Sequence, residues 1–239
     1  MEIRWLGHSA FEIISDDNVH ILIDPFISNN PACSVPVEEL NPDIILVTHG
    51  HSDHLGDALD ISNSTNAPVA AIHEISLFLS KQGIETIGVN IGGSFVFRGI
   101  KFTMLDAKHS SDIDMVEETV PGGVAASFLI TFEDGTSIFH CGDTGLFGDM
   151  KTIIGDIYKP DIVMVPIGDK FTMGPFEAAL ASMWLNPKVT IPMHYNTFPP
   201  IEQDPTIFAN FVMQFNPKIS TVILNPNEYF EYNPEDYQD

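Results

Sequence analysis

Short apolar segments separated by turn residues dominate the first half of the chain. Residues 2–6, 11–14 and 20–23 predict three short strands, because Gly, Asp and Asn fill the gaps between them. Strands joined by such tight turns are expected to pair as an antiparallel meander. Residues 44–47 (IILV) are apolar throughout, which is typical of a strand buried on both faces. Further strands are predicted at 69–71, 86–89, 94–97, 101–105, 125–132 and 137–140, with helices at 57–64 and 74–82.

The second half of the chain alternates between helical and strand patterns. Helices are predicted at 151–157, 174–185 and 206–215, and strands at 161–165, 189–192, 221–224 and 229–232. Runs of strands in both halves, with helices between them, favour an α/β fold in which two mixed sheets pack together. With helices covering the outer faces, this is a four-layer αββα sandwich. No stretch has the composition of a linker, so we expect one domain over residues 1–239.

The net charge of the chain limits which molecules can be its partners. The chain has 10 Lys and Arg against 33 Asp and Glu, a formal net charge of -23. Such a charge repels phosphate backbones and anionic lipid surfaces, so neither nucleic acid nor a membrane is expected as an obligate partner. Bound divalent cations can reverse the sign inside a cleft, which leaves a small phosphorylated substrate open.

The sequence shows no pattern typical of a membrane helix or a secretory leader, and it contains two cysteines. The apolar runs are far shorter than the roughly 20 residues of a membrane helix, and residues 1–6 do not resemble a secretory leader. We therefore expect a cytoplasmic protein. Cys33 and Cys141, far apart in an intracellular chain, are expected to be free thiols.

The sequence HGHSDH at residues 49–54 follows the apolar strand directly. Alternation in an extended segment sends His49 and His51 to the same side, where their imidazole nitrogens can bind one divalent cation. Asp53 and His54, at the start of the next helix, can then face a second cation. Imidazole and carboxylate ligands without cysteine suit zinc, and also manganese or iron.

A site for two cations needs further ligands, which should lie at strand ends on the same edge. His109 follows the predicted strand at 101–105, Asp143 follows the strand at 137–140, and His194 follows the strand at 189–192. Each is a polar residue at the carboxyl end of an apolar strand, where α/β proteins gather their sites. We therefore expect these three side chains to complete the metal centre.

Several motifs resemble those of the metallo-β-lactamase-fold hydrolases. They include WLGHSAF at residues 5–11, HGHSDH at 49–54, GDTG at 142–145 and PMHYNTFP at 192–199. The resemblance covers nearly the whole chain and is closest to the uncharacterised branch related to L-ascorbate-6-phosphate lactonase. It implies that one metal is bound by His49, His51 and His109, the other by Asp53, His54 and His194, with Asp143 bridging them. It also implies a homo-oligomer.

These ligands predict a hydrolase for a small ester, lactone or phosphoester. Two adjacent cations lower the pKa of a shared water until hydroxide exists at neutral pH, and they polarise the scissile group. Asp53 is the expected catalytic residue, which would orient the attacking water and take its proton. Two alternatives remain open: a phosphodiesterase or nuclease of the same fold, and a protein that binds metal without catalysis. The negative charge and the absence of a basic insertion disfavour the nuclease.

Four more residues are candidates for supporting or substrate-binding roles. His8, in the turn after the first strand, is placed near the metal rim by the resemblance, although it also suits a buried structural histidine. Asp24 ends a strand and could accept a hydrogen bond from a ligand histidine, which fixes the tautomer of the ring. Lys108 and Tyr195, each beside a predicted ligand, are candidates for the acid that protonates the leaving group.

Overall fold

A computed structural model describes residues 1–115 and 117–237 of the chain. Within these residues the first sheet has seven strands in the order β16-β1-β2-β3-β4-β5-β6. Its members are β1 (Glu2–Gly7), β2 (Ala10–Ile14), β3 (His20–Ile23), β4 (Ile44–Leu46), β5 (Val69–Ile72), β6 (Thr86–Val89) and β16 (Tyr229–Glu231). Strands β1 to β3 form the expected antiparallel meander, whereas β3 to β6 run parallel.

The second sheet also has seven strands within the described ranges, in the order β15-β14-β13-β12-β11-β8-β7. They are β7 (Ser94–Phe97), β8 (Ile100–Asp106), β11 (Ala126–Thr131), β12 (Ser137–His140), β13 (Ile162–Pro166), β14 (Val189–Met193) and β15 (Ser220–Thr221). The pairs from β7 to β12 are antiparallel, and those from β12 to β15 are parallel. A separate small hairpin joins β9 (Asp112–Ile113) to β10 (Val120–Pro121).

Helices pack against the sheets. The α-helices are α1 (Ser52–Leu55), α2 (Ala58–Thr65), α3 (His73–Ser80), α4 (Pro175–Leu185) and α5 (Pro205–Phe215). A π-helix spans Met150–Tyr158, and 3-10 turns span Val37–Glu39, Pro199–Ile201 and Pro234–Tyr237. Both α4 and α5 begin at a proline, whose missing N–H costs nothing in the first turn. Asp204 also accepts the Thr206 N–H and so caps α5.

Apolar strands and large aromatic side chains form the core between and around the sheets. The parallel strands β4 and β13 are apolar throughout and fully buried, as strands covered on both faces must be. Large side chains such as Phe11, Phe102, Phe128 and Phe139 are fully buried in the core. The prediction of two mixed sheets with helices is confirmed.

The structure differs from the predicted elements in a few places. The predicted helix at 151–157 is a π-helix, and the predicted strand at 221–224 pairs only at Ser220–Thr221. The hairpin of β9 and β10 was not predicted, because two-residue strands leave no periodic pattern. Cys33 and Cys141 are free, as expected. No helix in the described part of the chain is long and apolar enough to cross a membrane.

Candidate metal centre

The histidine-rich segment lies where β4 ends and α1 begins. His49 is fully buried, and its Nε2 lies 3.0 Å from His51 Nδ1. His109, which follows β8, faces both rings with centroid distances of 5.1 Å. One ligand atom from each of these three histidines lies within 4.8 Å of the other two. This geometry suits three imidazoles around one cation.

A second group of potential ligands lies beside the first. It contains His8, Asp53, His54 and His194, with ligand atoms again within 4.8 Å of one another. Asp53 and His54 lie in the first turn of α1, as predicted, because that helix begins at Ser52. His194 follows β14, and its ring stacks parallel to the His54 ring with centroids 5.7 Å apart.

The buried carboxylate of Asp143 lies between the two groups. Its Oδ2 is 2.9 Å from His194 Nε2, 3.3 Å from His54 Nε2 and 3.6 Å from His109 Nε2. The carboxylate therefore contacts histidines from both groups, as a bridging ligand would. Its position depends on Gly142, which follows β12 with φ of 60°.

Two buried polar atoms without hydrogen-bond partners indicate that this pocket suits metal ions. Among the described residues, His54 Nε2 and Asp143 Oδ1 are buried without a hydrogen-bond partner. Such atoms are costly to bury unless something satisfies them. Neutral imidazoles and carboxylates are ligands that divalent transition metals accept. The residues therefore fit divalent cations, and they include no cysteine.

Charge and burial set the protonation of these groups. Burial lowers the pKa of His49 and of His109, which keeps both rings neutral and able to donate a lone pair to a metal. Burial alone would raise the pKa of Asp143, but His194 and His54 outweigh it and hold the pKa well below its usual range. Burial is likewise outweighed at His54, where the carboxylates of Asp143 and Asp24 raise the pKa.

Asp24 orients the His54 ring, as the sequence suggested. Its Oδ2 accepts a hydrogen bond from His54 Nδ1 at 2.8 Å, which directs Nε2 toward Asp143. The same carboxylate accepts the Thr48 N–H at 2.8 Å and the Thr48 hydroxyl at 2.7 Å. Thr48 also lies 3.0 Å from His49 Nδ1. Asp24 and Thr48 thus link one histidine of each group.

Sequence reasoning missed Thr48, and also Ser110, whose hydroxyl lies 3.2 Å from His51 Nε2. Each stands directly beside a predicted ligand, and that adjacency is the one signal in the sequence that could have pointed to them. It is a weak signal, because the neighbours of a ligand usually point away from it.

His8 lies inside the site and is fully buried. Its ring packs on His194 with centroids 4.1 Å apart, its Nε2 is 3.1 Å from Asp53 Oδ2, and its Nδ1 is 2.9 Å from the Thr197 hydroxyl. Burial and the nearby His194 lower the pKa of His8 to about 4, so the ring is neutral at pH 7. A carboxylate can only accept, so the single proton is on Nε2 and Nδ1 accepts from Thr197.

Three residues of the site have left-handed backbone conformations. The φ angles are 56° at His8, 46° at Asp24 and 55° at His194. Non-glycine residues rarely adopt this region, and such strained positions concentrate at functional sites. Each occurs at the end of a strand, where the chain turns sharply and directs the side chain into the centre.

Lys108 and Tyr195 lie beside the cleft rather than in its lining. The Lys108 ammonium pairs with Asp106 and lies 5.4 Å from the Phe147 ring centroid. Tyr195 is buried and stacks on Trp5 with centroids 5.3 Å apart. Burial raises the pKa of Tyr195 to about 12. Their roles as proton donors stay predictions.

A cleft of about 900 Å³ opens onto the candidate ligands His51, Asp53, His109, Asp143 and His194. Asp53 is 30% exposed, whereas Asp143 is almost completely buried at the base. Phe26, Phe171 and Phe198 supply aromatic surface to the same cleft. The site thus combines a polar base with room for a small molecule.

Comparisons with known proteins agree with this geometry. Residues 2–194 match the family described as "Beta-lactamase superfamily domain". A UPF0173 metal-dependent hydrolase of Methanobrevibacter smithii is 80% identical over 239 residues, covering 100% of both chains. A second one, from Methanosphaera stadtmanae, is 56% identical over 229 residues, which is 95% of this chain and 98% of its own.

Among solved structures, the chain is similar to Igni18, a metallo hydrolase from the hyperthermophilic archaeon Ignicoccus hospitalis. The TM-score is 0.87 at 37% sequence identity, and the match covers 97% of this chain and 99% of Igni18. Fold, converging ligands and relatives agree: the chain belongs to the β-lactamase superfamily and is a metal-dependent hydrolase of the UPF0173 group.

Proposed function

We propose that the chain is a binuclear hydrolase that acts on a small ester, lactone or phosphoester. In this proposal His49, His51 and His109 bind one divalent cation, and Asp53, His54 and His194 bind the other. The observation that carries it is the position of Asp143, whose Oδ2 lies within 3.6 Å of histidines from both groups. Zinc is the expected metal, and manganese or iron would suit the same ligands.

The bound cations would supply the acidity that makes water a nucleophile at neutral pH and the positive charge that polarises the scissile group. The chain's own contribution begins at Asp53. Its Oδ2 accepts the N–H of His8, so Oδ1 is the oxygen left to face both the cation and the attacking water, whose proton it would accept. His8 thereby holds the carboxylate in one orientation, and Thr197 holds the His8 ring from the other side.

Buried residues beneath the cleft hold the histidines in place. Asp24 and Thr48 keep the imidazoles of His54 and His49 at fixed orientations, so the base of the cleft need not reorganise during the reaction. We propose a small molecule as the substrate because the cleft of about 900 Å³ falls within the usual range of ligand pockets. The cytoplasmic location and the homo-oligomer stay predictions.

Metal analysis combined with turnover tests this function. The purified protein is analysed for metals and assayed with phosphodiester, phosphomonoester, lactone and thioester substrates, alongside Asp143→Ala. We expect two metals per chain in the parent protein, and loss of metal together with at least about a 1000-fold loss of turnover in the variant. Asp149→Ala, which removes an exposed carboxylate from the same loop, is the matched control and should keep both metals.

The outcomes separate the alternatives. Two metals with turnover of one substrate class would support the binuclear hydrolase and identify that class. Two metals and no turnover of any class would disfavour the proposed substrates. One metal, or none after reconstitution, would contradict the proposed ligand assignment.

A further inference from the structure

The lining of the cleft has a pronounced charge asymmetry. Beyond the candidate ligands, its acidic residues are Asp57, Asp60 and Asp114. Among the described residues that line the cleft, none is Lys or Arg. The outer part of the cleft is therefore acidic.

These carboxylates come from two segments that flank α1. Asp57 and Asp60 stand three residues apart where α2 begins, so they share one face of that helix. Asp114 follows β9, and its Oδ1 accepts the Ser52 N–H at 2.7 Å. Asp57 accepts the N–H groups of Ile27 and Ser28, at 2.8 and 2.9 Å. Asp57 and Asp114 are thus held by backbone contacts near α1, whereas Asp60 is exposed.

No basic side chain in the described residues pairs with these three carboxylates. The ion pairs of lysine and arginine link Arg4 to Glu12, Arg98 to Asp43, Lys108 to Asp106 and Lys188 to Asp161. Lys170, an exposed residue outside the lining, has its ammonium 5.3 Å from the ring centroid of Phe171, which does line the cleft. In the described part of the chain, the acidic lining thus has no ion pair with lysine or arginine, and the contacts of Asp57 and Asp114 are with neutral backbone N–H groups.

Bound cations would make the cleft positively charged only at its base. Two divalent ions carry four positive charges, which Asp53, Asp143 and a hydroxide would reduce at the bottom of the cleft. The outer carboxylates are not among these ligands and keep their charge. The cleft would then attract an electron-rich scissile group at its base and a cation farther out. The formal net charge of -23 on the chain acts in the same direction at long range.

Aromatic side chains line the same cleft as these carboxylates. Phe26 and Phe198 line the cleft with ring centroids 6.2 Å apart, and Phe171 is 54% exposed. Aromatic faces attract organic cations through the ring quadrupole, and they also bury alkyl groups. A cleft whose lining combines carboxylates with aromatic rings therefore suits an alkylammonium group better than a hydrated inorganic ion.

We propose that the cleft selects esters or lactones whose non-reacting end carries an alkylammonium group, and that it disfavours substrates with a free anionic end such as a phosphomonoester. This proposal rests on the hydrolase function proposed above. It narrows the substrate class, because an ester of a sugar phosphate would place its dianion against the acidic lining.

Three matched probe substrates test the preference. The p-nitrophenyl ester of 4-(trimethylammonio)butyrate is cationic, that of 5,5-dimethylhexanoate is its neutral isostere, and the mono-p-nitrophenyl ester of glutarate is anionic. At low ionic strength we expect kcat/KM to be about tenfold higher for the cationic ester than for its isostere, and lowest for the anionic ester. Added salt should reduce the ratio, because it screens exposed charges.

Single substitutions locate the source of the preference. Asp60→Asn and Asp114→Asn should each lower the cationic-to-neutral ratio by about two- to threefold. In Asp114→Asn the amide side chain retains an oxygen able to accept the Ser52 N–H, so the loop contact survives. Asp112→Asn, which removes an exposed carboxylate of the same hairpin outside the cleft lining, should leave the ratio unchanged. Equal kcat/KM for all three esters would overturn the charge preference while leaving the hydrolase function intact.

Binding provides a measurement that does not depend on turnover. The hydroxamates of the same cationic and neutral acids would chelate metal at the base of the cleft, and calorimetry on the zinc-loaded protein measures their affinities. We expect the cationic hydroxamate to bind about tenfold more tightly. Equal affinities of the two hydroxamates would overturn the inference. So would a higher kcat/KM for the anionic ester, if Lys170→Met abolishes that preference. Failure of every hydroxamate to bind would contradict the proposed function as well.

Discussion

The contacts of Asp24 show how one residue prepares the metal centre. Its carboxylate is fully buried, and it accepts hydrogen bonds from His54 Nδ1, the Thr48 N–H and the Thr48 hydroxyl. A buried anion that accepts three hydrogen bonds holds His54 Nδ1 against Asp24 and so directs Nε2 toward Asp143. Asp24 therefore acts through His54 rather than on a substrate.

Asp24→Asn should weaken metal binding. The amide oxygen can still accept one hydrogen bond, but the negative charge that makes His54 a better ligand is gone. We expect the affinity for zinc to fall by about 10- to 100-fold, measured by competition with a chromogenic chelator. Asp17→Asn, in the exposed turn between β2 and β3, is the control and should bind zinc like the parent protein. Unchanged affinity in Asp24→Asn would exclude this role.

At the scale of elements, the centre is assembled from segments that follow the strands. His49 comes after β4, His109 after β8, Asp143 after β12 and His194 after β14. Polar residues after apolar strands were recognisable in the sequence, and the carboxyl ends of strands are where such sites form. The left-handed turns at His8, Asp24 and His194 were not recognisable, because only a few per cent of non-glycine residues adopt that conformation, even though Asp and His are enriched among them.

Gly142→Ala tests one of these turns. Gly142 has φ of 60°, and a Cβ atom there would lie 2.5 Å from the Ala126 carbonyl oxygen. The turn that carries Asp143 must therefore shift or strain. We expect the free energy of unfolding to fall by about 1–3 kcal/mol and zinc affinity to fall with it.

Gly145 offers the matched control, because nothing lies within 4 Å of a Cβ built there. Gly145→Ala should keep both stability and zinc affinity close to the parent values. Urea unfolding and chelator competition measure the two properties. Equal behaviour of the two variants would show that the strain at Gly142 does not hold Asp143 in place.

At the scale of the whole molecule, the proposed metals link the two sheets. The segments that carry the ligands follow β4 of the first sheet and β8, β12 and β14 of the second. Ions bound at this junction raise the free energy of unfolding. The increase grows with the logarithm of the ratio of free metal concentration to Kd. The metal centre should therefore contribute to stability as well as to chemistry.

Chelation should lower the thermal stability. For a chain of this size we expect Tm to fall by about 10 °C or more when EDTA removes metals held at concentrations far above Kd. Differential scanning calorimetry measures the change, and adding zinc back should reverse it. In Asp143→Ala the EDTA effect should be much smaller. An identical Tm with and without metal would contradict tight binding at this junction.

The metal-free protein should lose stability between pH 6.5 and pH 4. Burial lowers the pKa of His49, His109 and His140, and burial together with His194 lowers that of His8 to about 4. Unfolded imidazoles titrate near pH 6.5, so the unfolded state binds more protons in this window and the free energy of unfolding falls as the pH falls. His54, with its raised pKa, opposes the trend above about pH 6.5, where only the folded state carries its proton, but well below that pH both states carry it and its contribution is constant.

Urea unfolding of the metal-free protein at pH 6.5, 5.5 and 4.5 checks this prediction. The lowered pKa of Asp143 adds a loss in the same direction as the pH approaches 4, because that carboxyl is protonated more easily when unfolded. His73→Gln removes an exposed imidazole and should show the same pH dependence as the parent protein. Constant stability from pH 6.5 to 4.5 would contradict the buried, neutral state of these histidines.

The sequence by itself determined the class of fold and the candidate ligands. Short segments rich in apolar residues predicted most strands, and HGHSDH followed by His109, Asp143 and His194 indicated a metal centre, because periodicity and residue chemistry are local properties. Only the tertiary structure decided the position of Asp143 between the two histidine groups, the hydrogen bonds of Thr48 and His8, and the acidic lining of the cleft. These features depend on side chains that are distant in sequence, and on backbone turns that no local pattern specifies.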